Sequence, residues 1–126
     1  MKDREFDAAA ARETLRRRRE ERFRDLERLE ADAAADAAAI IGMLVERYQP
    51  RRIYQWGSLT RAGAFREWSD IDIALEGLED PLDGLRAMDD AAQLTRFPVD
   101  LVELERIDPR HAADIRTRGT LVYERT

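Results

Sequence analysis

The chain has 126 residues, 44% of them hydrophobic, which is the size and apolar content of a single domain with one core. Acids outnumber bases 27 to 22 for a formal net charge of -5, so bulk nucleic-acid binding is not expected and any such contact has to be local. The absence of cysteine excludes disulfides, thiolate metal sites and cysteine nucleophiles and accords with a reducing compartment, while the lone His111 excludes most histidine-built zinc sites. No window approaches the roughly 20 apolar residues of a membrane span, and no apolar stretch follows the N-terminal charges, so the expectation is a soluble, cytoplasmic protein without a membrane role.

From Asp3 to Gln49 there is no proline and only one glycine, Gly42, among strong helix formers, which predicts one long helix or two in series. Leu26, Leu29, Ala33, Ala37, Ile40, Leu44 and Tyr48 recur at spacings of three and four, the pattern of a stripe facing a core. Upstream of Phe23 the stripe fails. Arg16 to Arg19 form a continuous basic run there, and Phe6 and Leu15 are the only large apolar residues, so this half is expected to project and to offer a place for a partner. The plainer reading is a solvated face supported by Glu13 with Arg17 and Glu20 with Arg24 at i, i+4. Residues 1–49 are accordingly read as a helical extension packing on the domain, with a partner-binding arm, and residues 50–126 as the domain proper.

Pro50 stops the helix, and Arg52 to Trp56 reads as a short strand ending at Gly57-Ser58. A short helix is expected to begin near Leu59. Ile71 to Leu75 is the second strand. Asp80-Pro81 opens a helix with Leu82, Leu85, Met88 and Ala92 at helical spacing, ended by Phe97-Pro98. Val99 to Leu104 is the third strand; Asp108-Pro109 starts a helix that stops at Gly119, and Thr120 to Glu124 is the fourth strand. This order reads as an α/β (α+β) domain: a small mixed β-sheet with flanking helices and a long N-terminal helix.

Residues two apart on a strand point to one face, so in Ser69-Asp70-Ile71-Asp72-Ile73 the two aspartates project together and the two isoleucines face the opposite, apolar side. Two ionised carboxylates in one small volume repel each other and ask for a cation, and hard oxygen ligands favour Mg²⁺, with Mn²⁺ as the alternative. Asp100, in Pro98-Val99-Asp100-Leu101-Val102, is a third acid among apolar neighbours. If the second and third strands are adjacent, Asp100 completes a cluster able to hold two metals roughly 3.5 to 4 Å apart, suited to in-line displacement at phosphorus, and can accept a hydroxyl proton. Gly57-Ser58 lets the backbone approach a phosphate, with the N–H groups of the following helix aimed at the anion, and Arg61, one turn in, is placed to reach a triphosphate oxygen. Arg66 is a weaker candidate. Trp56 and Trp68 flank these residues; Trp56 and Tyr123 are expected to be structural and His111 to lie on the surface.

Together, Trp56-Gly57-Ser58-Leu59-Thr60-Arg61, Ser69-Asp70-Ile71-Asp72-Ile73 and Val99-Asp100-Leu101-Val102 resemble the signature of the DNA polymerase β-type nucleotidyltransferases, and among them most nearly the minimal nucleotidyltransferases. The resemblance covers about residues 50 to 126 and implies the polymerase β-like nucleotidyltransferase fold. It also implies that Gly57 and Ser58 hold the triphosphate of ATP, that Asp70 and Asp72 bind two Mg²⁺ ions, and that Asp100 supports the catalytic one. Members of this group often act as antitoxins beside small helical ribonuclease toxins called HEPN proteins, transferring AMP from ATP to a tyrosine of the toxin. The implied partner is therefore a HEPN-type toxin, in a hetero-oligomer. Two features differ from the family's usual pattern: Ala62 precedes Gly63 after the motif arginine, and the interval from Gly57 to Asp70 is one residue longer. Two alternatives stay open. One is a non-catalytic antitoxin or binding module that acts by docking through the N-terminal helix. The other is small-molecule nucleotidylation, as of an aminoglycoside, for which residues 50 to 126 leave little material for an acceptor pocket.

Overall fold

A computed structural model describes residues 7–126, so the predicted helical stretch Asp3–Phe6, including the apolar Phe6, lies outside the described residues. Of the two options for the N-terminal segment, one uninterrupted helix is found, α1 (Ala8–Tyr48), about 60 Å long at 1.5 Å per residue. Asp7 caps it by accepting from the Ala10 N–H at 3.1 Å. It ends at Gln49, which takes a left-handed conformation (φ 47°) before Pro50, a residue that disfavours helical geometry in its predecessor. The predicted stripe is the packed one: Ala33, Ala37, Ile40 and Leu44 are fully buried, with Leu29 and Tyr48 against the same core. Among the described residues no helix is long and apolar enough to cross a membrane.

The strands β1 (Arg52–Trp56), β2 (Ile71–Glu76), β3 (Val99–Glu103) and β4 (Thr120–Glu124) form one mixed sheet in the order β3-β2-β1-β4. β1 runs antiparallel to both β2 and β4, and β2 runs parallel to β3. Helix α2 (Asp83–Ala92) makes the crossover that a parallel pair requires, and α3 (Pro109–Arg118) leads from β3 into β4. The cap predicted at Asp108 accepts from the Arg110 N–H at 2.8 Å.

Alternation along β2 sorts the interior into two layers. Ile71, Ile73 and Leu75 are fully buried beneath α1 and α2 with Ile53, Phe65 and Phe97. Ala74 faces the other way, into a smaller cluster with Leu104, Ala112 and Ile115 under α3. Glu76, on that second face, is buried yet ionised: burial pushes its carboxyl up, and hydrogen bonds from Arg52 (2.7 Å) and Arg116 (2.6 and 3.0 Å) outweigh that and hold it below its ordinary value.

Helix α2 departs from its expected packing. Gly84, Ala87 and Ala91 are its buried residues, whereas Leu82 and Leu85 are exposed and the helix already ends at Ala92. The small residues let the helix lie close on the sheet. A Cβ on Gly84 would stand 2.2 Å from a Glu103 carboxylate oxygen, so the leucines on the adjoining face are turned outward.

Candidate active site

Strand pairing brings the predicted residues to one end of the sheet. Trp56, the last residue of β1, is paired with Asp72 of β2, and Asp72 is in direct register with Asp100 of β3. The adjacency on which Asp100 depended is therefore found. Asp70 lies just before β2 and is exposed at the rim, while Asp72 and Asp100 are partly buried on the α3 side of the sheet. Burial, then the charge of Asp100, then that of Asp70 push the Asp72 carboxyl up to about 7. Among the described residues no three acidic or histidine side chains are gathered into a ready-made metal cage. The donors are nonetheless hard oxygens on adjacent strands with uncompensated negative charge, and that set fits a divalent cation of the magnesium type.

Gly57 joins the strand end to these acids. Its φ of 78° with ψ of -155° is a conformation reserved for glycine, and a Cβ there would lie 2.0 Å from Asp72 Oδ2. The glycine therefore lets the carboxylate lie against the backbone, a closer link than phosphate access alone. Its carbonyl accepts from the Thr60 N–H (3.1 Å) and the Thr60 hydroxyl (2.6 Å), closing a tight turn.

That turn is not the helix expected near Leu59. It is a three-residue 3-10 turn, Ser58–Thr60, and Arg61 lies beyond its end in extended conformation rather than one turn into a helix. Continuation would need the Gly63 and Phe65 N–H groups to bond back to Leu59 and Arg61. The Glu30 carboxylate of α1 takes both instead, at 3.1 and 3.4 Å, and Phe65 is drawn into the core edge-on to Phe97. Arg66 is likewise committed to the loop, donating to the carbonyls of Gly63 and Phe65. The departure at Ala62-Gly63 thus has a structural counterpart: Gly63 has φ 79° and sits where α1 fastens the loop. Phosphate donors narrow to the first N–H groups of the turn, at Ser58 and Leu59, which have no partner within it.

A cleft of about 340 Å³ opens beside Gly57, lined by Trp56, Thr60, Arg61, Asp114, Arg118 and Thr120 among others. Arg61 is exposed there, so the structure keeps it near the glycine without fixing it to a partner. Trp56 packs into the α3 cluster as expected, with its ring edge-on to the exposed His111 at 5.3 Å and its indole N–H buried without a partner among the described residues. Tyr123 packs on the α1 core. Trp68 is 76% exposed and so is not a packing residue. Glu30 was not singled out from sequence. Its signal was an acid on the packed stripe between Leu26 and Ala33, where a carboxylate needs donors.

An α/β domain with a strand-ending Gly-Ser turn pressed against an acid pair on adjacent strands is of the nucleotidyltransferase type. Residues 38–126 match the family model described as "Polymerase beta, Nucleotidyltransferase", and the chain belongs to that family of nucleotidyltransferases. The match begins inside α1, leaving Ala8–Ala37 outside it. Among solved structures, the toxin-antitoxin MntA-HepT is similar with a TM-score of 0.56 and 22% identity, over 73% of each chain. A toxin-antitoxin crystal structure with AMP-PNP is similar at 0.57 and 25% identity, over 70% of this chain and 73% of the other. A third is a tri-AMPylated Shewanella oneidensis HEPN toxin in complex with its MNT antitoxin, at 0.55 and 22% identity, over 74% of this chain and 73% of the other. The fold is that of these minimal nucleotidyltransferases. Among curated proteins no sequence matches significantly.

Proposed function

We propose that this protein transfers AMP from ATP to a hydroxyl, most directly a tyrosine, of a partner protein, and that it serves as the antitoxin of a HEPN-type toxin. The observation that carries the reading is the register of Asp72 with Asp100 beside a Gly57 backbone that only glycine can supply. Support for the nucleotide and partner comes from relatives: one similar complex holds AMP-PNP, and another contains an AMPylated HEPN toxin.

Ser58 and its N–H hold the phosphates at the strand end, and Arg61 steadies a triphosphate oxygen from the cleft. Asp70, Asp72 and Asp100 would hold magnesium, which when bound supplies charge neutralisation on the phosphates. Asp100 accepts the proton of the acceptor hydroxyl as its oxygen bonds to the α-phosphorus and the bond to pyrophosphate breaks. Asp72, at the centre, keeps the reacting groups close to Gly57.

The test is incubation with α-labelled ATP, magnesium and a purified HEPN-type toxin, the product of the neighbouring gene where that gene encodes one. Label should pass to that protein and be lost with Asp72→Asn. Equal transfer by the variant, or none by the wild type, overturns the reading. Silencing of the partner by an Asp70→Asn, Asp72→Asn double variant would instead favour a docking antitoxin.

A further inference from the structure

The topology sends the free half of α1 toward the catalytic end. Only Gln49, Pro50 and Arg51 separate α1 from β1, and the helix packs back along the sheet, so its N-terminal half emerges where β1 gives way to Gly57 and Asp70 leads into β2. Two contacts fix this direction. Glu30 binds the loop at Gly63 and Phe65, and two turns further out Arg22 forms an ion pair with Glu67, three residues before Asp70. Beyond Arg22 the helix continues to Ala8, roughly 20 Å at 1.5 Å per residue, outside the part matched by the family model.

This arm is basic on an acidic protein. Between Ala8 and Asp25 there are seven arginines and four acids, against a net charge of -5 for the whole chain. The i, i+4 pairs expected at Glu13–Arg17 and Glu20–Arg24 are not the ones formed. Arg16 takes both glutamates, at 2.5 and 2.6 Å. Among the described residues Arg17, Arg18, Arg19 and Arg24 have no carboxylate partner. Leu15, Arg19 and Arg22 continue the spacing of Leu26, Leu29 and Ala33, so Arg19 looks to the same side as the domain with Arg18 flanking it, while Arg17 and Arg24 fall on the opposite side of the helix. At its base Phe23 is 63% exposed over a groove of about 320 Å³ shared with Leu26 and Phe65, and Trp68, beside Glu67, is 76% exposed. The exposed Phe23 and Trp68 are chain neighbours of the paired Arg22 and Glu67, so that ion pair brings them near one another on the way to Asp70.

From this we infer that the α1 arm, with Phe23 and Trp68, docks the nucleotide-accepting protein through an acidic helical surface bearing an apolar anchor, holding the acceptor hydroxyl at the catalytic end; the inference rests on the function proposed above. A nucleic acid suits the surface less, because the Arg16–Arg19 run is flanked by Glu13, Glu20 and Glu21 and the path ends at Asp70 and Asp72. A second copy paired arm to arm would set like charges opposite each other.

The experiment uses the full chain carrying Asp72→Asn, chosen to block transfer while leaving docking intact, and the same purified HEPN-type toxin. Arg18→Glu with Arg19→Glu, and separately Phe23→Ser, should each weaken that complex at least about 30-fold, with helix content and ATP binding unchanged. The parent complex should weaken about tenfold between roughly 50 and 300 mM salt, and the arginine variant much less. Affinity unchanged by either variant overturns the proposal. So does an effect of the variants confined to RNA binding or to self-association in sedimentation. Salt-sensitive docking by a wild type that transfers nothing would sink the catalytic reading and leave the arm standing. Transfer at unchanged KM by the arm variants on an active background would do the reverse.

Discussion

The two faces of β2 have opposite characters. Toward α1 the strand presents Ile71, Ile73 and Leu75, all fully buried among apolar partners. Toward α3 it presents Asp72, Ala74 and Glu76, a half-buried acid, a methyl group and a buried, doubly paired carboxylate. One face supplies burial energy, at about 2 kcal/mol for each large side chain. The other holds charge where a packed core would exclude it, and the strand tolerates this because the first face already anchors it. Charge and apolar burial are separated by the pleat, one residue apart.

The sharpest way to break the contrast is to change neighbours across it. Asp72→Asn should lower transfer about 1000-fold while the protein stays folded, as read by labelled-AMP transfer alongside circular dichroism. Ile73→Ala should do the opposite, costing about 3 kcal/mol in urea unfolding and leaving transfer by the folded fraction near normal at low temperature. Loss of activity without loss of stability in Ile73→Ala would show that the faces are not separable.

Gly57→Ala comes next. Its methyl group would meet Asp72 Oδ2 at 2.0 Å in a backbone conformation that alanine resists, so transfer should fall about 100-fold. Glu76→Gln should cost about 2 kcal/mol at neutral pH by leaving Arg52 and Arg116 facing a neutral amide. The stabilisation by Glu76 is present above the ordinary carboxylate range, because its pKa is lowered in the fold. It is lost as pH falls through that lowered value, so wild type and Glu76→Gln should converge in strong acid.

The smallest effect concerns Asp72 in metal-free protein and has the opposite sign. Its carboxyl, raised from 3.8 to about 7, keeps a proton that the unfolded chain has already released. Stability should therefore decline as pH rises from about 4 through 7, by about 1 kcal/mol once solvent screening of a half-buried group is allowed for. Asp72→Asn should flatten that decline in thermal melts, and added Mg²⁺ should offset it in the wild type. A wild-type melting curve indifferent to pH in this window would show that the Asp72 charge is already compensated.

Much of the fold was legible because its signals are local. The stripe Ala33-Ala37-Ile40-Leu44, the stop at Gln49-Pro50, the Asp108-Pro109 cap and the alternation of Asp72 with Ile71 and Ile73 each depend on residues within a few positions of one another. The same locality made the Gly57-Ser58 and Asp70-X-Asp72 elements readable as a candidate site. Tertiary competition defeated two readings and local competition a third. The helix after Ser58 is absent because Glu30, 33 residues before Gly63, takes the N–H groups it would need. Leu82, just before α2, and Leu85 within it face outward while Gly84 seats the helix against Glu103. Arg16, rather than Arg17 and Arg24, collects the glutamates of the arm, since i, i+3 and i, i+4 partners compete on a helix surface.

Sequence by itself therefore determined which residues alternate, cap and turn, and hence that a small mixed sheet would carry Asp72 on one face and isoleucines on the other. Only the tertiary structure decided that Asp100 stands level with Asp72, that Gly57 lies against that carboxylate, and that the basic half of α1 extends past the same end of the sheet. Those relations join residues tens of positions apart. They are set by strand order and by helix packing on the sheet, which no local spacing encodes.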